Sequence, residues 1–224
     1  MHYEILPPAQ KALYPELKPT KGLGYVLYGG TAIALRIGNR QSADFDFFSE
    51  RSFLPHEALA NHMPFLKNAQ ITQMEENTLS YRTEDNVRLS FFTGIEFGRV
   101  GQPSADDQDV LVLASPVDLL AAKCKVLLQR VEAKDYHDIS ALLSSGLTLR
   151  QGIEGAMALF RNSFPPVEAI RALSWFEDGD LASVTKAERG ILETAAFNLL
   201  TEMRAVPLTP SPLVSTRLSD AASA

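Results

Sequence analysis

The chain reads as an α+β protein, with a mixed sheet and flanking helices up to about Leu113 and a helical bundle after it. Three observations predict this. Short strand-like runs recur between Tyr25 and Leu113, bounded by turn residues. From Ser115 onward helix-start signals take over. The 224 residues, 46% hydrophobic and 21% charged, are enough for one large domain or one domain with a helical annex. The expected division is 1–114 for the α/β core, 115–205 for the helical part and 206–224 for a disordered tail.

Taken in order, Pro7-Pro8 opens a first helix through Leu13, because proline suits a first helical turn but not its interior. Tyr25 to Tyr28 is a short buried strand. Thr31 to Ile37 is a helix stopped by Gly38-Asn39. Asp44 to Phe48 is an aromatic-rich strand. Pro55 to Leu66 is a surface helix. Ile71 to Met74, Thr78 to Thr83 and Val87 to Phe92 are strands, the last two joined by a turn at Glu84-Asp85-Asn86. Val110 to Leu113 is the last strand.

The helical half begins at Ser115-Pro116-Val117-Asp118, with serine as cap, proline first and a carboxylate third. Pro116 to Arg130 and Asp135 to Leu143 follow. Three more helices are expected at about Leu149 to Asn162, Pro166 to Glu177 and Thr185 to Met203, the last opened by the capping box Thr185–Glu188. The tail from Val206, with Pro207, Pro210 and Pro212, reads as disordered.

Composition excludes several functions. A net charge of −6 does not suit a protein that coats nucleic acid over its whole surface. The single cysteine, Cys124, excludes a disulfide framework and a thiolate metal cluster and fits a reducing cytoplasm. Met1 to Gln10 lacks the pattern of a signal peptide, and no apolar run approaches the ~20 residues of a membrane span, so no membrane partner is expected.

The chemistry concentrates in Tyr28-Gly29-Gly30-Thr31 and Asp44-Phe45-Asp46. Residues two apart on a strand share a face, so Asp44 and Asp46 stand side by side while Phe45 and Phe47 face the core. Two adjacent carboxylates repel, and a hard cation such as Mg²⁺ relieves that repulsion, typically with substrate phosphates as further ligands. Gly29-Gly30 lets backbone approach an anion, at the start of a helix whose free N–H groups attract negative charge. Alone, a glycine pair is a turn and an Asp-x-Asp a solvated edge. Together they suggest a nucleotide and a metal.

The segments Gly29 to Arg36 and Arg40 to Phe48 resemble the signature of the polymerase-β-like nucleotidyltransferase superfamily. More narrowly they are similar to its AbiEii/AbiGii toxin branch, found in abortive-infection and toxin–antitoxin systems. Lys123, Arg130, Lys134-Asp135 and Asp138 match that branch's later lysine and Lys/Arg-Asp-x-x-Asp segment. The resemblance spans about Tyr25 to Leu143. It implies transfer of a nucleoside monophosphate from an NTP to an acceptor, which in toxin members can be a tRNA 3′ end; a protein acceptor is the other macromolecular option. Asp44 and Asp46 would hold Mg²⁺. Gly29, Gly30 and Thr31 would cradle phosphates, with Arg40, Ser42 and Arg130 beside them. Lys123 would contact the triphosphate, Asp138 would complete the acidic site, and an antitoxin would be a partner.

Two features press on that reading. The strand expected to carry a third carboxylate has Ser90 at its centre, which leaves open a degenerate nucleotide binder. A small-molecule acceptor is a further alternative. Fifteen residues separate Lys123 from Asp138, about 22 Å on a straight helix, so both reach one site only if the helix breaks between Arg130 and Asp135. Asp135 is the expected cap of the new helix, and a Lys134–Asp138 pair the bland alternative. Arg36, Arg40 and Arg51 around the first motif, and Lys123, Lys125, Arg130 and Lys134 around the second, would form a basic cleft if they converge. The four histidines, Cys124 and the Trp175-Phe176 pair read as surface or packing residues.

Overall fold

A computed structural model describes residues 1–51 and 56–204. Short helices α1 (Pro8–Leu13) and α2 (Pro19–Gly22) lead into β1 (Val26–Tyr28), α3 (Gly29–Ile37) and β2 (Asp44–Phe48). Then come α4 (His56–His62), β3 (Gln70–Glu75), β4 (Thr78–Arg82), β5 (Arg88–Phe92), β6 (Ser104–Ala105) and β7 (Val112–Leu113). The helical half holds α5 (Pro116–Val126), α6 (Ala133–Ser144), α7 (Leu149–Phe160), α8 (Pro166–Ala172) and α9 (Lys186–Arg204). The expected start of α4 at Pro55 and the tail from Val206 lie outside the described residues.

Among the described residues the strands form one mixed seven-stranded sheet in the order β3-β4-β5-β2-β1-β7-β6. β2 sits near its middle, antiparallel to β1 and parallel to β5. Alternation along β2 is strict: Phe45 and Phe47 are buried, whereas Asp44, Asp46 and Phe48 are partly open on the other face. Phe45 stacks on Phe47 and Phe47 on Phe91, at centroid separations of 6.2 and 5.2 Å, so the apolar side of this register is fixed by aromatic packing. In register with Asp46 stand Tyr28 of β1 and Ser90 of β5. β6 was not legible in the sequence, being two exposed residues held by pairing to β7.

α3 begins two residues earlier than the sequence suggested, so Gly29 and Gly30 form its first turn, and it ends as expected at Gly38, in the left-handed region at φ +73°. The hydrophobic core runs without interruption from the sheet into the helical half, where Leu120 and Cys124 of α5 join Leu27 and Phe45 in one cluster. α5 and α7 approach closely because Gly152 has no side chain: a Cβ there would lie 2.5 Å from Leu120 Cγ.

The predicted helix break is present. α5 ends at Val126, four residues before the expected Arg130, and α6 starts at Ala133. Asp135 is not its cap. It sits in the first turn with its carboxylate buried, and Asp180 from far along the chain accepts the Ala133 N–H at 2.7 Å. The caps at Ser115 and Thr185 are as expected, Ser115 Oγ accepting from Asp118 N at 3.1 Å and Glu188 Oε2 accepting from Thr185 N at 2.8 Å. α8 stops at Ala172, short of Glu177, and leaves Trp175 exposed rather than packed with the buried Phe176. No described helix is long and apolar enough to cross a membrane.

Candidate active site

The open face of β2, the first turn of α3 and the α5–α6 corner enclose a cleft of about 560 Å³. Gly29, Gly30, Asp44 and Asp46 line one side, and Lys123, Arg130 and Lys134 the other. A chain reversal between α5 and α6 thus brings together residues that a straight helix would hold apart.

Each glycine is placed where a side chain would not fit. A Cβ on Gly29, whose φ is +71°, would lie 2.5 Å from Asp46 Oδ2. One on Gly30 would lie 2.6 Å from Arg40 Nη2 and 2.9 Å from Ser42 Oγ. The first turn of α3 therefore meets the carboxylates and the first cation with bare backbone, and its N–H groups have no intrahelical acceptors. Thr31 plays a different part from the one the sequence suggested: it is fully buried and its hydroxyl donates to the Asp44 carbonyl, which locks helix to strand.

Asp44 and Asp46 share one face, as expected. Arg88 Nε stands 2.7 Å from Asp44 Oδ1 as a charge partner, without hydrogen-bonding geometry. No hydrogen bond to the Asp46 carboxylate is present among the described residues. Burial, followed by the neighbouring Asp44 charge, pushes the Asp46 carboxyl up to about 6, against the opposing pull of Lys123, Arg130 and Lys134. Two oxygen donors with unspent lone pairs, one of them costly to ionise alone, suit a hard divalent cation that also binds phosphate. No cluster of three or more His, Cys, Asp or Glu suited to a metal occurs among the described residues, so such an ion would draw its remaining ligands from substrate and water. Ser90, in register with Asp46, accepts a hydrogen bond from Ser80 at 3.2 Å and supplies no third carboxylate.

Asp138 differs most from expectation. It is fully buried behind the cleft, and both its oxygens are taken. Arg40 grips it with two bonds of 2.8 and 2.7 Å, Asn39 donates at 2.9 Å and Lys123 Nζ lies at 2.8 Å. Asp135 is its counterpart, bonded to Lys123 at 2.7 Å and to Arg130 at 2.9 and 3.2 Å. Burial alone would raise the Asp135 carboxyl, but Arg130 and Lys123 override it and hold the group below its ordinary value. The expected Lys134–Asp138 pair does not form; Lys134 turns to Glu132. Two buried carboxylates thus fix three cations, Arg40, Lys123 and Arg130, whose outer atoms face the cleft. Asn39, Asp135 and Arg88 were not singled out for these roles, because only the tertiary fold reveals their partners.

The basic cleft is real but smaller than the sequence suggested. Arg40, Lys123, Lys125, Arg130 and Lys134 line it. Arg36 points instead to the Leu113 and Ala114 carbonyls, and Arg51 borders a separate cavity. Cys124 is buried, its thiol pushed up to about 12 by that burial, which removes it as a nucleophile. His56 and His137 bond Tyr81 and Glu188, away from the cleft.

Residues 11–197 match the family model described as "Nucleotidyl transferase AbiEii toxin, Type IV TA system". An uncharacterized protein of Aquifex aeolicus is 27% identical over 158 residues, covering 69% of this chain and 74% of the relative. Among solved structures, an H. pylori protein assigned as a nucleotidyltransferase superposes with a TM-score of 0.56 at 17% identity, over 87% of this chain and 94% of the other. The nucleotidyltransferase toxin MenT4 of Mycobacterium tuberculosis superposes with a TM-score of 0.53 at 16% identity, over 85% of this chain and 82% of the other. At these identities the two structures speak for the fold alone.

Proposed function

The chain belongs to the AbiEii nucleotidyltransferase toxin family of type IV toxin–antitoxin systems, and from that premise we propose a Mg²⁺-dependent transfer of a nucleoside monophosphate from an NTP to an RNA 3′ end. One observation carries the proposal: Asp44 and Asp46 face, across a single cleft, three cations held in place by buried carboxylates.

The roles follow from position. Asp44 and Asp46 would hold the metal. Bound there, Mg²⁺ would neutralise the phosphates and favour the ionised form of an attacking hydroxyl. The bare backbone at Gly29 and Gly30 receives phosphate oxygens. Lys123 and Arg130 meet the charge that builds on the leaving pyrophosphate, at no reorganisation cost because Asp135 already fixes them. Arg40, oriented by Asp138, and Ser42 close the cradle beside Gly30. On this reading Asp138 is a positioning residue and not the third acid. Proton removal from the acceptor then falls to solvent.

Incubation with each labelled NTP and total tRNA tests the proposal. Wild type is expected to label RNA in a Mg²⁺-dependent way and Asp46→Ala to label none. Equal labelling by both refutes the catalytic assignment. Labelling of protein or of a small molecule instead of RNA would redirect the acceptor and leave the chemistry standing. Ser90 supports a second reading, a nucleotide binder without turnover, which predicts tight NTP binding without pyrophosphate release. A cognate antitoxin is the expected partner, in the cytoplasm, with growth inhibition and its relief as the readout; protection against phage would test the abortive-infection role.

A further inference from the structure

A second cavity, of about 260 Å³, adjoins the cleft and shares with it the side chains of Tyr28, Phe48 and Phe97. It lies at the other end of β2. Arg40 and Ser42, which build the phosphate cradle, immediately precede that strand, whereas Phe48 ends it and Arg51 follows. Asp46 stands between the two.

The walls of this cavity have a recognisable chemistry. Phe48 packs against Tyr28, Phe92 and Phe97 at centroid separations of 5.0, 4.8 and 6.3 Å, and Phe48 and Phe97 are each partly open. Arg51 and Arg99 sit at the rim and are exposed, together with the carboxylate of Glu50. The other acid, Asp118, is already spent on the N–H groups of Val100 and Gly101, at 2.7 and 3.1 Å, and on Ser115. That contact pins the loop carrying Phe97 and Arg99 to the start of α5. Tyr28 is 7% exposed, and its hydroxyl has no hydrogen-bond partner among the described residues. Tyr28 lines this cavity beside Asp118, Arg99 and Glu50, so the unpartnered donor lies among its walls.

We propose that this second cavity is the acceptor site, taking the 3′-terminal nucleoside of a single-stranded RNA. Its base would stack on Phe48 and Phe97, its sugar or base would receive the Tyr28 hydroxyl, and Arg51 and Arg99 would meet the preceding phosphate. The assignment rests on the nucleotidyl-transfer reading and deepens it. In-line displacement sets the attacking oxygen and the leaving pyrophosphate on opposite sides of the α-phosphorus. With the cations of the cradle at one end of β2, the attacking hydroxyl enters from the other. Aromatic faces beside arginines are what a single strand needs, because stacking tolerates any base and arginine follows the backbone. The bond formed joins the acceptor 3′-oxygen to the α-phosphorus, the bond broken releases pyrophosphate, and the acceptor proton leaves to solvent.

The test separates RNA binding from NTP binding. A short single-stranded RNA, 5′-labelled and ending in a free 3′-hydroxyl, is titrated by anisotropy in Mg²⁺; a non-hydrolysable NTP analogue is titrated by calorimetry. Arg99→Ala is expected to weaken RNA binding about tenfold and to lower the salt slope by about one. Tyr28→Phe, which removes one oxygen and no packing, is expected to weaken it about fivefold, in line with the loss of one hydrogen bond. Both should hold the NTP analogue within about twofold of wild type. The assignment is overturned if both variants bind RNA like wild type, if NTP affinity falls in parallel, or if wild type does not bind RNA at all. In that last case transfer to another acceptor, abolished by Asp46→Ala, would still uphold the chemical reading.

Discussion

Replacing Asp46 by Asn separates what the carboxylate proposed to bind the metal costs the fold from what it does. The Asp46 carboxyl is pushed from an ordinary 3.8 up to about 6, by burial and by Asp44. A raised value means that the folded chain binds this proton more tightly than the unfolded chain. Stability from this group is therefore full below the unfolded value and is lost as pH rises from about 4 to about 6. At 1.36 kcal/mol per pH unit the deficit above that window reaches about 3 kcal/mol. Because Asp46 is partly open to the cleft, screening brings it to about 1–2 kcal/mol. Asn keeps the shape and removes the charge. Urea denaturation at pH 8 should then show Asp46→Asn more stable than wild type by about 1–2 kcal/mol, or about 2–8 °C in Tm. At pH 3.5 the two should coincide, since wild type is then protonated. Mg²⁺ with a non-hydrolysable NTP should stabilise wild type and leave the variant unmoved. Equal stability of the two at pH 8, or a gain that persists at pH 3.5, refutes the account of Asp46 as a carboxylate held at a cost for a cation.

Other perturbations follow the same geometry. Gly30→Ala forces a Cβ against Arg40 and Ser42 and should raise the NTP Kd about tenfold, ~1.4 kcal/mol; an unchanged Kd by calorimetry counts against the cradle. Asp138→Ala leaves Arg40 and Lys123 without their buried partner and should cost about 3–5 kcal/mol in urea denaturation, whereas a catalytic acid facing the cleft would cost activity alone. Lys134→Ala, at a half-exposed rim charge, should alter stability by less than ~0.5 kcal/mol yet raise the NTP KM. Asp135, held below its ordinary value by Arg130 and Lys123, lends stability above about pH 4 that is lost as pH falls through its lowered value; Asp135→Asn should flatten the acid limb of the stability curve, and an unchanged limb would contradict that pairing.

How much was legible follows from what each signal depends on. β2 and its two faces were readable because alternation is local: Asp44, Asp46 and Phe48 against Phe45 and Phe47 need only the period of a strand. The caps at Ser115 and Thr185 were readable because donor and acceptor lie three residues apart. Gly38 stopped α3 for an equally local reason. The α5–α6 break was inferable only from a functional argument about Lys123 and Asp138, since its cap, Asp180, is 47 residues from Ala133. The burial of Asp138 was hidden for the same cause. A carboxylate on an amphipathic helix carries no local mark that Arg40, 98 residues away, will occupy both its oxygens. Thr31 looked like a phosphate ligand by its neighbours, but strand–helix packing turned its hydroxyl inward. The second cavity was invisible because it needs Phe97 and Arg99 from a loop with no motif.

The buried carboxylates also explain how an acidic chain sustains a basic cleft. Five cations line the cavity, and unpaired they would repel one another and wander. Asp135 and Asp138 bind three of them from behind, so each of the three is anchored on its protein side while the group keeps a positive excess toward the cleft. Burying two carboxylates is costly unless every oxygen is bonded, and here each is. The cost yields direction: Lys123 bridges both acids and is confined to a single position, where an exposed lysine would sample many. Across the cleft the logic is inverted, because Asp44 and Asp46 lack such partners apart from Arg88. One wall holds cations partly compensated and fixed in place, and the other holds carboxylates awaiting compensation. A metal-bound triphosphate would satisfy both walls at once, with Asp44 and Asp46 to hold its cation and Lys123 and Arg130 to meet its phosphates. Free nucleotide satisfies only one wall, so nucleotide and divalent cation should bind with positive coupling, each raising the other's affinity by the same factor. Calorimetric titration of nucleotide with and without Mg²⁺ measures that factor, and a value of one would show that the two walls do not act on a common ligand.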